Sequence, residues 1–210
     1  MDFEIQSTSL VVGQEELDKL DTSNLRRIFF DIEGGLTYDS DILQVGWLET
    51  DWEFNILDVG SKYYRNLHKI DKDAYKVHNL SEEFLWSVSD TYFSTDLPHL
   101  PFSHDKPTMY ITYTLFDIQK VRAEATKVGY DLTFGDAVSS LYVKPTPVSH
   151  FDAFMLSGKR LVDSVSVQGF TNVEKMVEEL KGKLDVSNLQ PHDALYDTLL
   201  LYELCTEWVR

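Results

Sequence analysis

The chain of 210 residues has a single cysteine, Cys205, and no apolar run that approaches the roughly 18 residues of a membrane span. One cysteine excludes an internal disulfide framework and a zinc site built from cysteines. A basic start followed by an apolar stretch, as in a secretory signal, is also absent from the first residues. With 43% hydrophobic and 26% charged residues, the composition excludes disorder over the whole chain and predicts one globular domain. We therefore expect a soluble cytoplasmic protein that does not contact a membrane.

Basic residues are scarce, since 19 Lys and Arg are set against 35 Asp and Glu and the net charge at pH 7 is −16. Extended binding of DNA or RNA depends on many cationic contacts to phosphates, so this balance argues against it. The charge is uneven, because residues 1–58 hold 14 acidic and 3 basic residues, whereas the stretch from Lys120 to Arg160 is locally basic. We expect any contacts to a nucleic-acid backbone to come from that stretch.

The first half of the chain favours strands. Residues 1–25 are polar and acidic, and we interpret them as an N-terminal extension to a domain over residues 26–210. A buried strand is predicted over residues 26–33, closed by a pair of glycines. A second strand over residues 41–48 is expected to pair with it as a hairpin, and a third is expected to follow with a turn at Gly60.

The second half of the chain alternates between strands and helices. A strand rich in β-branched and aromatic residues is predicted over residues 108–113, followed by an amphipathic helix that Gly129 stops. The final segment, residues 193–209, keeps one apolar stripe at helical spacing, with Asp193 as its N-cap. Residues 131–160 are interpreted as a candidate insertion. Strands followed by alternating strands and helices indicate an α/β domain with a mixed sheet.

Two acidic residues stand near the carboxyl end of the first predicted strand. Asp31 and Glu33 are two positions apart, so their side chains project from the same face. In open α/β sheets, ligand sites lie beyond the carboxyl ends of the strands. Two like charges held there require a cation, whereas solvated acids of a turn require none. The pair alone is compatible with both interpretations.

Three further residues extend this pattern to other elements. Asp117 opens the helix after the strand over residues 108–113, a place where the helix dipole favours an acid even without a ligand. Asp197 lies among leucines near the start of the final helix. His192 can face the same site only from the loop before that helix, and Pro191 favours this boundary.

Four carboxylates on three elements and a loop histidine are the groups that two-metal phosphodiester hydrolysis requires. Mg²⁺ and Mn²⁺ take oxygen ligands, and a pair of such ions can activate water and stabilise the departing oxygen. A neutral imidazole near pH 7 can take the proton of the attacking water. These residues are therefore candidates for a hydrolytic metal site.

In order and spacing, these residues resemble the motifs of the DEDDh subgroup of DEDD-type 3′-5′ exonucleases, the DnaQ-like enzymes of the ribonuclease H-like superfamily. The third motif is the most specific, with His192 and Asp197 five residues apart. Gly34-Gly35 stands where the family usually has two threonines, and Tyr113-Thr114 where it has His-Asn; neither difference removes a metal ligand. The matching segments cover residues 26–208 and include, in chain order, Phe30-Asp31-Ile32-Glu33-Gly34-Gly35, Val77-His78-Asn79-Leu80-Ser81, Phe116-Asp117, Val162-Asp163-Ser164 and His192-Asp193-Ala194-Leu195-Tyr196-Asp197.

The resemblance implies a ribonuclease H-like α/β fold, in which helices flank a mixed central sheet, and a site for two Mg²⁺ or Mn²⁺ ions. Asp31, Glu33 and Asp197 would hold the main metal. Asp31 would be shared with the second metal, which Asp117 assists, and His192 would be the general base. The candidate substrate-binding residues are Gly34, Gly35, Leu36 as an apolar wedge against the 3′-terminal base, and His78, interpreted as part of the pocket wall rather than a metal ligand.

We therefore predict a metal-dependent 3′-5′ exonuclease that releases nucleoside 5′-monophosphates from a single-stranded or frayed DNA 3′ end. An exoribonuclease that trims RNA is the alternative within the enzyme class. A non-catalytic module that docks on a polymerase or another replication partner is the alternative outside it. The net charge then has a different meaning, because two divalent cations compensate four of the carboxylates. We expect a short grip on a 3′ end and weak affinity without metal.

Overall fold

The computed structural model describes most of the chain from residue 24 onward. Most of the predicted N-terminal extension, most of the candidate insertion at 131–160, and Asp163 lie outside the described residues. The described residues are 24–102, 107–130, 132, 134, 136–137, 148–153, 175–176, 178, 189 and 191–209.

Six strands and five α-helices make up the described architecture, together with one 3₁₀ turn at Leu97–His99. The strands are β1 (Arg26–Gly34), β2 (Ile42–Asp51), β3 (Ile56–Tyr63), β4 (Thr108–Thr112), β5 (Asp136–Ala137) and β6 (Val148–Asp152). The helices are α1 (Lys72–His78), α2 (Glu82–Val88), α3 (Phe93–Asp96), α4 (Leu115–Lys127) and α5 (Ala194–Val209). None of these described helices is long and apolar enough to cross a membrane.

The strands form one mixed sheet in the order β3-β2-β1-β4-β6-β5. Antiparallel pairing joins β1 to β2 and β2 to β3, as the predicted hairpin requires. Parallel pairing joins β1 to β4, β4 to β6 and β6 to β5. The expected mixed α/β sheet is therefore confirmed, with β1 near its centre.

Apolar clusters cover both faces of this sheet. Phe30 of β1 belongs to the cluster that includes residues of α4, and Phe29 belongs to the cluster that includes residues of α5. Because side chains alternate along a strand, Asp31 and Glu33 project from the same face as Phe29, toward α5. Both acids of β1 therefore lie on the face of the sheet that packs against α5, the helix that carries Asp197.

The expected turn at Gly60 is wrong. Gly60 lies inside β3, opposite Trp47 of β2, and the ladder continues on both sides of it. A Cβ at Gly60 would lie 2.1 Å from Cζ2 of Trp47. The glycine is therefore needed because the indole covers this position, and not because the chain reverses there.

Candidate active site

The acids of β1 and α4 meet at one edge of the sheet, because β1 and β4 are parallel neighbours and α4 follows β4 directly. The Thr114 hydroxyl caps α4 by accepting a hydrogen bond from the backbone N–H of Phe116. Burial raises the pKa of Asp117, and the nearby backbone N–H groups of Asp117 and Thr114 oppose this rise. Asp117 lies at the N-terminus of α4, at the edge where Asp31 and Glu33 stand.

Helix α5 and the loop before it bring Asp197 and His192. Nδ1 of His192 lies 4.0 Å from Oδ2 of Asp197. Burial raises the pKa of Asp197, and the nearby backbone N–H of His192 opposes this rise. One oxygen of Glu33, one of Asp197 and one ring nitrogen of His192 lie within 4.8 Å of one another. His192 stands before α5, as expected, with a half-exposed side chain and a left-handed backbone at φ 65°. These three groups are close enough to share one cation.

Burial and neighbouring carboxylates raise the pKa values of all four acids. Burial raises the pKa of Asp31 well above its usual value, and the carboxylates of Asp117, Asp197 and Glu33 raise it further. Burial, with Asp197 and Asp117 adding to it, raises the pKa of Glu33 to about 9. Burial also raises the pKa values of Asp117 and Asp197 to about 7. The fold therefore brings all four predicted acids within electrostatic range of one another.

This donor set fits a divalent cation. Oδ1 of Asp197 is buried and has no hydrogen-bond partner within the described part of the chain. A buried carboxylate oxygen is destabilising unless a donor or a cation satisfies it. Carboxylate oxygens are also the ligands that Mg²⁺ and Mn²⁺ prefer. The four acids therefore fit the ligand roles expected from the sequence, and those roles stay a prediction.

The raised pKa values predict how stability depends on pH and metal. A carboxyl whose pKa is higher in the folded chain stabilises the fold at low pH, and this contribution is lost as the pH rises through the folded value. For Asp117 and Asp197 that value is about 7, and for Glu33 about 9. The melting temperature of the metal-free protein should therefore fall between about pH 5 and about pH 9.

Manganese should reverse this fall, because it binds the ionised carboxylates. At a concentration about 100 times Kd, one bound ion should raise the melting temperature by about 5–10 °C. The increase should be larger at about pH 9 than at about pH 5, where protons compete for the ligands. Thermal melts in EDTA and in Mn²⁺ test this, and the absence of any Mn²⁺ effect at the higher pH would contradict a metal site.

A hydrogen-bond network anchors the start of α5 to the sheet. Asp193 is the N-cap of α5, as expected, since its Oδ1 accepts hydrogen bonds from the backbone N–H groups of Leu195 and Tyr196. Its Oδ2 accepts from Nε2 of Gln44 at 2.8 Å and from the Tyr63 hydroxyl at 3.0 Å. Gln44 is not among the residues predicted from the sequence. Its signal is a polar residue on a buried position of an apolar strand.

The same helix approaches β2 closely at Gly46. A Cβ at this position would lie 2.4 Å from backbone atoms of Ala194 and Leu195. The Thr198 hydroxyl donates a hydrogen bond to the Gly46 carbonyl at 3.1 Å. The separation of α5 from the sheet therefore depends on a residue without a side chain.

Replacement of Gln44 by leucine is expected to lower the free energy of unfolding by about 1–3 kcal/mol, because the buried Asp193 carboxylate loses a donor. Tyr63→Phe removes the other side-chain donor from a less buried position and should lower it by about 1 kcal/mol. Urea denaturation of the two variants measures both changes. Wild-type stability in Gln44→Leu would show that this bond does not anchor α5.

A cavity of about 130 Å³ beside Glu33 is lined by all four candidate substrate-binding residues. Leu36 is 61% exposed, whereas His78, the last residue of α1, is buried. Nδ1 of His78 accepts the backbone N–H of Leu80 at 3.0 Å, so Nε2 carries the proton of the neutral ring. Within the described residues, Nε2 has no hydrogen-bond partner. Burial, with His192 adding to it, lowers the pKa of His78 to about 4, so the ring is neutral at pH 7.

The two described lysines of the basic stretch from Lys120 to Arg160 form contacts within the protein. Lys120 is fully buried, and its ammonium group donates hydrogen bonds to the loop after β1. Lys127 pairs with Glu124 on the same helix. Lys120 is therefore not available for a phosphate contact, because its donors are used inside the fold, and the expectation for the rest of the stretch stays a prediction. Three other basic residues of the stretch lie outside the described residues. They are Lys144, Lys159 and Arg160.

Comparison by sequence gives no match, because no protein-family model and no curated protein matches the chain. Comparison with solved structures does give matches. The zinc-bound complex of E. coli exonuclease I with single-stranded DNA matches with a TM-score of 0.61 at 16% identity, over 89% of this chain and 41% of that chain. E. coli exonuclease I in complex with a dA16 oligonucleotide matches with a TM-score of 0.62 at 15% identity, over 87% and 41%.

Exonuclease X in complex with 5′-overhanging duplex DNA matches with a TM-score of 0.52 at 16% identity, over 89% of this chain and 93% of that chain. The chain thus spans about two fifths of the exonuclease I chains and corresponds to nearly all of the exonuclease X chain. Both neighbours are exonucleases, the class of enzyme that the motifs resemble. The chain therefore shares the α/β fold of these exonuclease structures.

Proposed function

We propose that the chain is a metal-dependent 3′-5′ exonuclease that releases nucleoside 5′-monophosphates from single-stranded or frayed DNA 3′ ends. The observation that carries this proposal is the grouping of four acids, with His192 beside them, at one edge of the sheet. The fold supports it, since the matched structures of exonuclease I and exonuclease X hold DNA. The acids concerned are Asp31, Glu33, Asp117 and Asp197.

The four carboxylates would hold two divalent ions, which we expect to be Mg²⁺ or Mn²⁺. When bound, such ions supply the positive charge that activates water and stabilises the departing 3′ oxygen. His192 would accept the proton of the attacking water on a ring nitrogen. Its half-exposed side chain, 4.0 Å from Asp197, lies where both solvent and a substrate can reach it. Histidine suits this task because its ordinary pKa lies near the pH of reaction.

The substrate would be held by a short contact at its 3′ end. Leu36 would pack against the terminal base, and the backbone at Gly34 and Gly35 would border the sugar. Nε2 of His78 would supply a neutral donor from the wall of the same cavity. A short footprint agrees with a net charge of −16, because few phosphates need to be neutralised.

Degradation of a 5′-labelled single-stranded oligonucleotide tests the proposal. With Mg²⁺ or Mn²⁺, the chain should produce a ladder of products that shorten from the 3′ end, together with nucleoside 5′-monophosphates. EDTA should abolish both. Inactivity on every substrate with either metal would overturn the proposal and favour a non-catalytic module.

The same assay separates the substrates. Parallel reactions should contain RNA of the same sequence, a blunt duplex and a duplex with a mismatched 3′ end. We expect faster degradation of single-stranded and mismatched DNA than of blunt duplex, since the end must be frayed to enter the cavity. Preference for RNA would instead support the exoribonuclease alternative.

A further inference from the structure

Lys120 is a buried cation whose three donors are all used on one loop. The ammonium group meets three acceptors on the loop of residues 35–40, and lysine has three N–H donors to offer. They are the carbonyl oxygens of Gly35 and Thr37, at 2.7 and 2.8 Å, and the Ser40 hydroxyl, at 2.5 Å. A buried ammonium group is destabilising unless its donors are satisfied, so loop and lysine hold each other in place.

Other contacts between α4 and the 35–40 loop are more exposed. The ring of Tyr38 packs on that of Phe116, with 5.1 Å between centroids, and Nζ of Lys127 donates to the carbonyl of Asp39 at 3.1 Å. Tyr38 is about half-exposed, and so is the Lys127 side chain. Because water competes with exposed polar contacts, Lys120 is the stronger anchor of the loop.

The loop is tightly folded where it leaves β1. A Cβ at Gly34 would lie 2.4 Å from the carbonyl oxygen of Asp41, and a Cβ at Gly35 would lie 2.4 Å from Cβ of Ser40. Neither glycine has a side chain that could fix the turn through hydrogen bonds. The turn is closed by its own hydrogen bonds, from the Gly35 N–H to the Asp41 carbonyl and from the Ser40 N–H and hydroxyl to the Thr37 carbonyl. Lys120 adds three donors from α4, which fix the turn against the helix.

The anchored loop carries Leu36 to the cavity beside Glu33, and Lys120 lines that cavity as well. An exposed leucine at the mouth of a cavity gains free energy when a ligand covers it. Lys120 also lies three residues after Asp117, and its charge lowers the pKa of that carboxyl. One buried side chain thus connects the loop with the helix that carries a predicted metal ligand.

We propose that Lys120 is a positioning residue that fixes the 35–40 loop so that Leu36 meets the base of the 3′-terminal nucleotide. This inference rests on the proposed exonuclease function. Without the ammonium group, the carbonyl groups of Gly35 and Thr37 lose their buried donor, and the loop must become ordered when the substrate binds. That ordering opposes binding, so it raises KM, whereas the carboxylates and therefore kcat are retained.

Kinetics and hydrogen exchange of Lys120→Met test the proposal. On a single-stranded DNA oligonucleotide, KM should rise about tenfold and kcat should stay within about threefold of wild type. In the substrate-free variant, the backbone amides of residues 36–40 should exchange at least about tenfold faster. Lys120→Arg keeps a cation with several donors and should recover most of the change. Lys62→Met, which removes a lysine paired with Asp96, is the matched control and should change neither quantity.

Ser40→Ala keeps the test usable if Lys120→Met does not fold, because it removes one of the three acceptors from a partly exposed position. It should raise KM about threefold. Unchanged KM in the folded variants would overturn the inference and leave the exonuclease intact. A loss confined to kcat would also overturn it, since Lys120 would then act on Asp117. Inactivity of the wild-type chain would instead overturn the proposed function, and this inference with it.

Discussion

Asp31→Asn is expected to lower the rate of 3′-end degradation about a thousandfold or more. Metal ions supply several kcal/mol of transition-state stabilisation in such reactions, and about 1.4 kcal/mol corresponds to a factor of ten. Asparagine keeps the shape of the side chain and removes the charge that would bind both ions. Single-turnover degradation of a labelled oligonucleotide at saturating Mn²⁺ measures the effect.

Loss of folding does not account for this result, because burial and then the charges of Asp117, Asp197 and Glu33 raise the pKa of Asp31 and so oppose its ionisation. In EDTA, Asp31→Asn should melt at the same temperature as wild type or above it. Addition of Mn²⁺ should raise the melting temperature of Asp31→Asn by less than it raises that of wild type. Asp90→Asn, at an exposed bend, is the matched control and should retain full activity. Wild-type rates in Asp31→Asn would contradict the proposed site.

His192→Ala is expected to lower kcat by about 10²–10⁴, the usual contribution of a positioned general base. The fold should be unaffected, because the His192 side chain is half-exposed. The stabilisation by Mn²⁺ should be largely retained, since the acids hold the ions. Stopped-flow kinetics and thermal melts of the same preparation measure the two quantities separately.

The value of kcat and the stabilisation by Mn²⁺ together distinguish a general base from a metal ligand. His192 lies close enough to Glu33 and Asp197 to join them around a cation. Loss of the Mn²⁺ effect together with activity would therefore assign His192 as a ligand and contradict its role as base. His99→Ala, which removes an exposed histidine from the turn after α3, should change neither quantity.

The acids of the site are predictable because short-range rules govern them. The two-residue period of a strand puts Asp31 and Glu33 on one face, and the burial of Phe29 between α5 and the sheet decides which face. The cap at Asp193 and the loop position of His192 follow from local preferences at a helix start. The expected polymerase or replication partner depends on no such local rule and stays a prediction.

The residues that hold the site together are not predictable in this way, because their partners are remote in sequence. Gln44 and Asp193 are 149 residues apart, and Lys120 is 85 residues from Gly35. Local patterns treat Lys120 as a surface cation on an amphipathic helix, whereas the carbonyl groups of a distant loop draw it inside. The error at Gly60 has the same origin, since a neighbouring strand supplies the indole that covers it.

The backbone at His192 has a consequence for engineering. A φ of 65° is unfavourable for a residue with a β-carbon, by about 1–2 kcal/mol, and glycine would adopt it freely. His192→Gly should therefore make the fold more resistant to heat while it removes the imidazole. A selection for thermostability alone would favour this form, which lacks the proposed general base. The strained backbone at His192 thus lowers conformational stability, and in return the imidazole ring is already in position before a substrate binds.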